Sequence, residues 1–192
     1  MAAPRRVALS LQEFPKHAAI IGDMLLGFAD LEFFTVDLVG QAMNGDEGLT
    51  TSIRILYRLR AADDRLNVAD AILQPFMDEL RLKAAYGHWI GAMRECKAIR
   101  NQYAHCAWST DEGRLTFASM EEAAQPGDES ALLEFKPIDL PLLEEQQTYF
   151  GYGLDLTAYL MDEVRFRKDP AYGGPYSLPT WRAAPAMHSP LG

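Results

Sequence analysis

The chain has only two cysteines, Cys96 and Cys106, and neither belongs to a C-x2-C pair or a His/Cys cluster, which excludes a disulfide framework and a zinc site of that kind. Both are expected to be free buried thiols. The four histidines (17, 88, 105 and 188) are scattered, so metal-ligand spacing is absent and no metal or cofactor is expected. There is no internal repeat, no Gly-rich phosphate loop, no H-E-x-x-H and no G-x-S-x-G, which removes the signatures of P-loop nucleotide hydrolases, zinc proteases and α/β-hydrolases. No apolar run approaches a membrane span, because Asp23, Asp30, Glu32 and Asp37 interrupt the longest one. Arg5 and Arg6 near the start are followed by no uninterrupted apolar core. A cytoplasmic protein that does not engage a membrane is expected.

With 192 residues, 48% of them hydrophobic, the chain can bury one sizeable core. The net charge of −9 is unevenly placed. Between Ser109 and Gln147 there are ten acids and two bases, a sum of −8, which leaves the rest of the chain at −1. The acidity belongs to one segment and does not exclude an anion site elsewhere.

From His17 to Met43, apolar residues at 20, 21, 24, 25, 28, 31, 38, 39 and 42, with Thr35 on the same stripe, repeat with a helical period, which predicts a long first helix closed by Asn44 and Gly45. Glu32 lies on that apolar stripe, so its carboxylate is expected to form a buried structural ion pair with Arg100, Arg54 or Arg58. A second helix is expected from Thr50 or Thr51, with Ile53, Leu56 and Tyr57 inward. Asp63 or Asp64 reads as the cap of a third, in which Pro75 predicts a kink or an early end. The next helix carries Leu82, Tyr86, Trp89, Ile90 and Met93 and is expected to end near Trp108.

Then the period changes to two. Arg114–Met120 and Ala131–Ile138 alternate apolar and polar residues, which predicts a β-hairpin with a long loop around Pro126, Gly127 and Asp128. Asp139, Leu140 and Pro141 open the last helix, and Arg165, Arg167 and Lys168 suit its C-terminal dipole. Five prolines and three glycines in the last 24 residues predict an extended tail that folding does not need. The fold class that follows is mainly α: an antiparallel bundle of four to five helices forming one domain over residues 1–168, a β-hairpin inserted at 109–138 before the last helix, and a Pro/Gly-rich tail at 169–192. His17 and His88 are expected on solvated helix surface. Phe33 and Phe34 cannot both face the core, so one of them is expected to mark a subunit interface.

Polar chemistry concentrates in one place. Arg94, Lys97, Arg100, Asn101 and His105 fall within twelve residues, with Glu95 as the only acid among them. An ideal helix turns about 100° per residue, which stacks Asn101 under His105 and points Arg100 about 140° away from His105. The two can share a ligand only if the helix ends between them, the arginine reaches around, or a second copy contributes.

Arg100-Asn101-Gln102-Tyr103-Ala104-His105 resembles the R-N-x-x-x-H signature of HEPN domains, helical bundles that often act as metal-independent RNases. The resemblance implies a homodimer with two motifs facing one cleft, RNA as the ligand, a protein regulator, and a role in stress response, phage defence or a toxin system. It covers the helices from about 17 to 165 in outline; the hairpin and the tail lie outside a minimal bundle of this family. In the toxin branch a tyrosine two residues after the histidine is modified by a partner enzyme; here that position is Ala107. The resemblance implies catalytic roles for Arg100, Asn101 and His105, with substrate contacts from Arg94, Lys97, Tyr103 and Trp108. Imidazole acid–base catalysis with a guanidinium on the phosphorane would leave 2′,3′-cyclic phosphate ends. The other expectation is a non-catalytic helical bundle that binds a protein or nucleotide through the same surface.

Overall fold

The computed structural model describes residues 10–44, 47–124 and 133–189. The order is α1 (Ser10–Glu13), α2 (Pro15–Asn44), α3 (Gly48–Leu56), α4 (Ala62–Glu79), α5 (Lys83–Ala104), β1 (Cys106–Asp111), β2 (Arg114–Ser119), α6 (Met120–Ala123), β3 (Lys136–Pro137) and α7 (Leu140–Lys168), followed by a 3-10 turn at Pro170–Tyr172. The protein is mainly helical, with a small antiparallel sheet before the last helix and, among the described residues, no regular structure in the tail beyond that turn. Among the described residues no helix is long and apolar enough to cross a membrane. The chain divides into two compact units, residues 1–27, 98–150 and 184–192 in the first and residues 28–97 and 151–183 in the second.

In the first unit the sheet has the order β1-β2-β3. Trp108 pairs with Phe117 and Thr110 with Leu115 across β1 and β2, and Thr116 pairs with Pro137 across β2 and β3. The turn between β1 and β2 is only Glu112 and Gly113, at φ of +47° and +77°, the left-handed pair that a two-residue I′ hairpin requires. The expected strands at 114–120 and 131–138 are therefore present and paired, but shorter, with residues 125–132 of the expected loop and strand outside the described residues. The expectation that the preceding helix runs to Trp108 is corrected. It stops at Ala104 because Cys106–Asp111 gains a complete ladder against β2, which helical hydrogen bonds would forgo. Trp108, Leu115, Phe117, Ile138, Leu142, Leu143, Tyr149 and Phe150 are buried here. Asp139 caps α7, its Oδ1 accepting from the Leu142 N–H at 3.0 Å.

The tail, expected to be unnecessary for folding, is hydrogen-bonded to the helices of the first unit. In the first unit Gln102 Nε2 donates to Met187 O at 2.6 Å and Gln146 Nε2 to Ala186 O at 2.7 Å. The Asp139 N–H donates to Ser189 Oγ at 3.1 Å, and Pro185 and Ser189 are buried. Its composition cannot build a core, yet helix side chains take up its backbone. Each such bond contributes on the order of 1 kcal/mol net, so truncation after Lys168 is expected to lower the melting temperature by about 5 °C. An unchanged melting curve would mean that the ordering cost of the tail cancels these bonds.

In the second unit α3 sits on α2 through two glycines. A Cβ at Gly48 would lie 1.9 Å from Gly40 O, and one at Gly40 would lie 2.8 Å from Leu49 N, so the backbones touch directly. Ser52 is turned inward, donating Oγ–H toward Val36 O and Leu49 O at 2.9 Å each, and Leu56 is buried. Ile53 and Tyr57, expected inward, are exposed because the Ser52–Leu56 face is the one that meets α2. The cap of α4 is Ala61; Asp63 and Asp64 occupy the first turn, where they complement the helix dipole instead. Pro75 does not end α4, which continues to Glu79; the carbonyl it leaves without a partner, that of Ala71, belongs to an exposed residue. Trp89, fully buried, donates Nε1–H to Thr157 Oγ1 at 2.8 Å, and Cys96 packs where Gly153 leaves room. Phe33 is exposed and Phe34 half-buried.

Candidate functional site

The motif spans the end of α5 and the residue after it. The His105 N–H still donates to Asn101 O at 3.0 Å, and His105 O accepts from the Met120 N–H at 3.2 Å. The backbone of His105 is thus held on both sides, by the last turn of α5 and by the start of α6, while its side chain is exposed. Arg100 and Asn101 are half-buried, and Arg100 Nη1 donates to Asn101 Oδ1 at 2.9 Å. Because the helical bond to His105 is intact, its Cα keeps its helical position and Arg100 stays about 140° around the axis from it. Within one copy the guanidinium and imidazole therefore leave α5 in different directions.

Tyr103 and Trp108, expected to touch substrate, are buried in the core of the first unit. Their rings stack at 5.8 Å, and each also packs on Phe117, at 5.8 and 6.0 Å. Tyr103 O–H donates to Gln146 Oε1 at 2.5 Å, and burial pushes its phenol well above the ordinary range. Cys106 is half-buried and Cys96 fully buried, and burial pushes both thiols up to about 12. Cys96 is a buried packing group, and the Cys106 thiol lies 3.5 Å from Tyr103 O. His17 is half-buried rather than on open surface, edge-on to Phe14 at 5.2 Å, and desolvation lowers its pKa; His88 is exposed.

In the second unit Arg94 and Lys97 are each held by a carboxylate of α4. Arg94 Nη2 lies 2.7 Å from Asp70 Oδ2, and Lys97 pairs with Asp63. Asp70 also accepts from Tyr86 O–H at 2.7 Å, so it serves two residues of α5. The positive charge of the stretch is therefore largely neutralised locally, by acids 24 and 34 residues upstream that no local spacing links to it.

Glu32 is ion-paired, and its partner is Arg65 rather than Arg54, Arg58 or Arg100. Glu32 Oε1 accepts from Arg65 Nη2 at 2.6 Å and from Nε at 3.0 Å. Arg65 is chosen because α4 brings it beside the first-helix stripe while its Nη1 donates to Leu59 O and Arg60 O, both at 3.0 Å. The two side chains are 20% and 22% exposed, so Glu32→Ala is expected to cost about 2 kcal/mol, below the range for a fully buried pair. A denaturation midpoint equal to wild type would show that the pair contributes nothing.

Among the described residues no group of three or more His, Cys, Asp and Glu side chains is placed to hold a metal ion. Residues that sequence reasoning missed are Arg65, Asp63, Asp70, Gln102 and Gln146, whose partners lie far away in the chain. Compared with known proteins, the chain matches no family model, no curated protein and no solved structure.

Proposed function

We propose that the protein is a HEPN-like, metal-independent endoribonuclease acting as a homodimer, with His105 and Arg100 on the scissile phosphate. The observation that carries this reading is the presentation of His105: its backbone is clamped by Asn101 and Met120 and its imidazole stands in solvent. Such a side chain contributes nothing to the core and is open to a substrate for proton transfer. The ribose 2′-oxygen attacks phosphorus, its proton passes to the imidazole, and the bond to the 5′-oxygen breaks as that oxygen takes up a proton. The Arg100 guanidinium balances the charge of the phosphorane. Because Arg100 and His105 diverge around α5, one phosphate is best served by Arg100 of one copy and His105 of a second.

The test is incubation of the full chain with single-stranded RNA in EDTA. Cleavage into fragments with 2′,3′-cyclic phosphate ends is expected, since this chemistry uses no metal. RNA left intact over a range of substrates would overturn the enzyme reading. A second reading, a non-catalytic bundle binding a protein or nucleotide at the same surface, is favoured by the engagement of Asn101 Oδ1 with Arg100 instead of His105.

A further inference from the structure

Between Gly48 and Ala62 the chain has three arginines, Arg54, Arg58 and Arg60, and no acid, although the whole protein carries −9. All three are exposed, and among the described residues no carboxylate is ion-paired with any of them. Tyr57, between them, is 54% exposed, and Ile53 and Ile55 are also on the surface. The Tyr57 N–H still donates to Ile53 O at 3.0 Å, so helical geometry puts the ring one turn from Arg54 and on its side of α3.

Basic residues at a helix end often serve its free carbonyls. Here backbone groups serve the end of α3, Tyr57 N–H donating to Ile53 O and Leu59 N–H to Leu56 O, while Arg65 takes Leu59 O and Arg60 O in the turn that follows and its guanidinium carbon sits 5.6 Å from the centre of the Tyr57 ring, steadying it. Arg54, Arg58 and Arg60 are left with no structural task among the described residues. Unpaired guanidinium groups beside an exposed aromatic ring match a ligand that has repeated phosphates and flat rings. A lipid surface fits less well. Ile53 and Tyr57 share one side of α3, but Ile55 lies about 160° around the axis from Ile53, Leu56 is turned into the core, and α3 has only nine residues, too little for an apolar face.

We propose that the exposed side of α3 and the turn after it is a platform for single-stranded RNA, with Arg54, Arg58 and Arg60 on phosphates and Tyr57 stacked on a base. The choice of RNA as polyanion rests on the function proposed above, but none of these residues belongs to the motif, so different variants test the two. The test is fluorescence anisotropy with a labelled 20-nucleotide polyuridine RNA and the full chain carrying His105→Ala, which keeps the RNA intact. Adding Arg54→Ala, Arg58→Ala and Arg60→Ala together is expected to weaken binding at least tenfold and to flatten the dependence of log affinity on log salt by about 2. Tyr57→Ala is expected to weaken it about tenfold, and Tyr57→Phe to leave it unchanged. Replacing the three arginines by lysine keeps the salt dependence.

Equal RNA affinity in the triple-alanine protein overturns the platform while leaving the RNA reading in place. A parent protein that binds phosphatidylserine vesicles but not RNA overturns it in favour of a membrane surface, and one that binds neither overturns both proposals. Affinity lost in the triple variant, with cleavage unaltered by His105→Ala, supports the platform and ends the catalytic reading.

Discussion

His105→Ala is expected to lower the rate of single-stranded RNA cleavage by a factor of about 10² to 10⁴, and Arg100→Ala by a similar factor, with the fold intact in both. The imidazole moves a proton and the guanidinium offsets charge on phosphorus, and neither serves the apolar core. His105 keeps its backbone bonds to Asn101 and Met120 whatever its side chain, so the variant should melt like wild type. The 140° divergence of the two side chains adds a sharper test. If each site takes Arg100 from one copy and His105 from the other, mixing the two inactive variants as dimers restores about a quarter of the wild-type sites. No recovery on mixing would place both residues of a site on one chain, and equal cleavage by His105→Ala would end the enzyme reading.

Trp108→Ala is expected to destabilise the protein by about 4 kcal/mol, because an indole packed on Tyr103 and Phe117 is replaced by a cavity in the first unit. Tyr103→Phe removes only the hydroxyl that donates to Gln146 and should cost about 1 kcal/mol. Chemical denaturation measures both. Substrate contact by Trp108 and Tyr103, the role the resemblance implies, predicts the opposite result: an unchanged unfolding midpoint with weakened RNA binding. Such a result would return both rings to the surface.

The long helices were legible because each buries one stripe, and a stripe repeats every three to four residues in the chain itself. The capping of α7 by Asp139 and the pairing of β2 with β3 follow from equally local signals. Strand β1 was not legible. Its residues contain too short an alternation to compete with the helix before it, and its stability comes from pairing with β2, which local periodicity does not record. The ion pairs failed to read for a similar reason: Glu32 meets Arg65 and Arg94 meets Asp70 only after helices have packed. Apolarity misled at Ile53 and Tyr57, where a buried serine decides which side of α3 faces inward. At the motif, the residue types were readable, whereas the exposure of His105 and the burial of Tyr103 and Trp108 depend on where α5 stops.

The meeting of Gly40 and Gly48 reaches further than its two residues. Arg54 rides on, and Tyr57 and Arg58 directly follow, a helix whose seat is set by the absence of side chains at those two points. A methyl group at position 48 would tilt or lift the whole of α3 and carry its arginines with it, though it touches none of them. In a random-mutagenesis screen scored by ligand capture, these glycines would therefore sort with the cationic surface, and a map drawn from such hits alone would mistake a hinge pin for part of the platform.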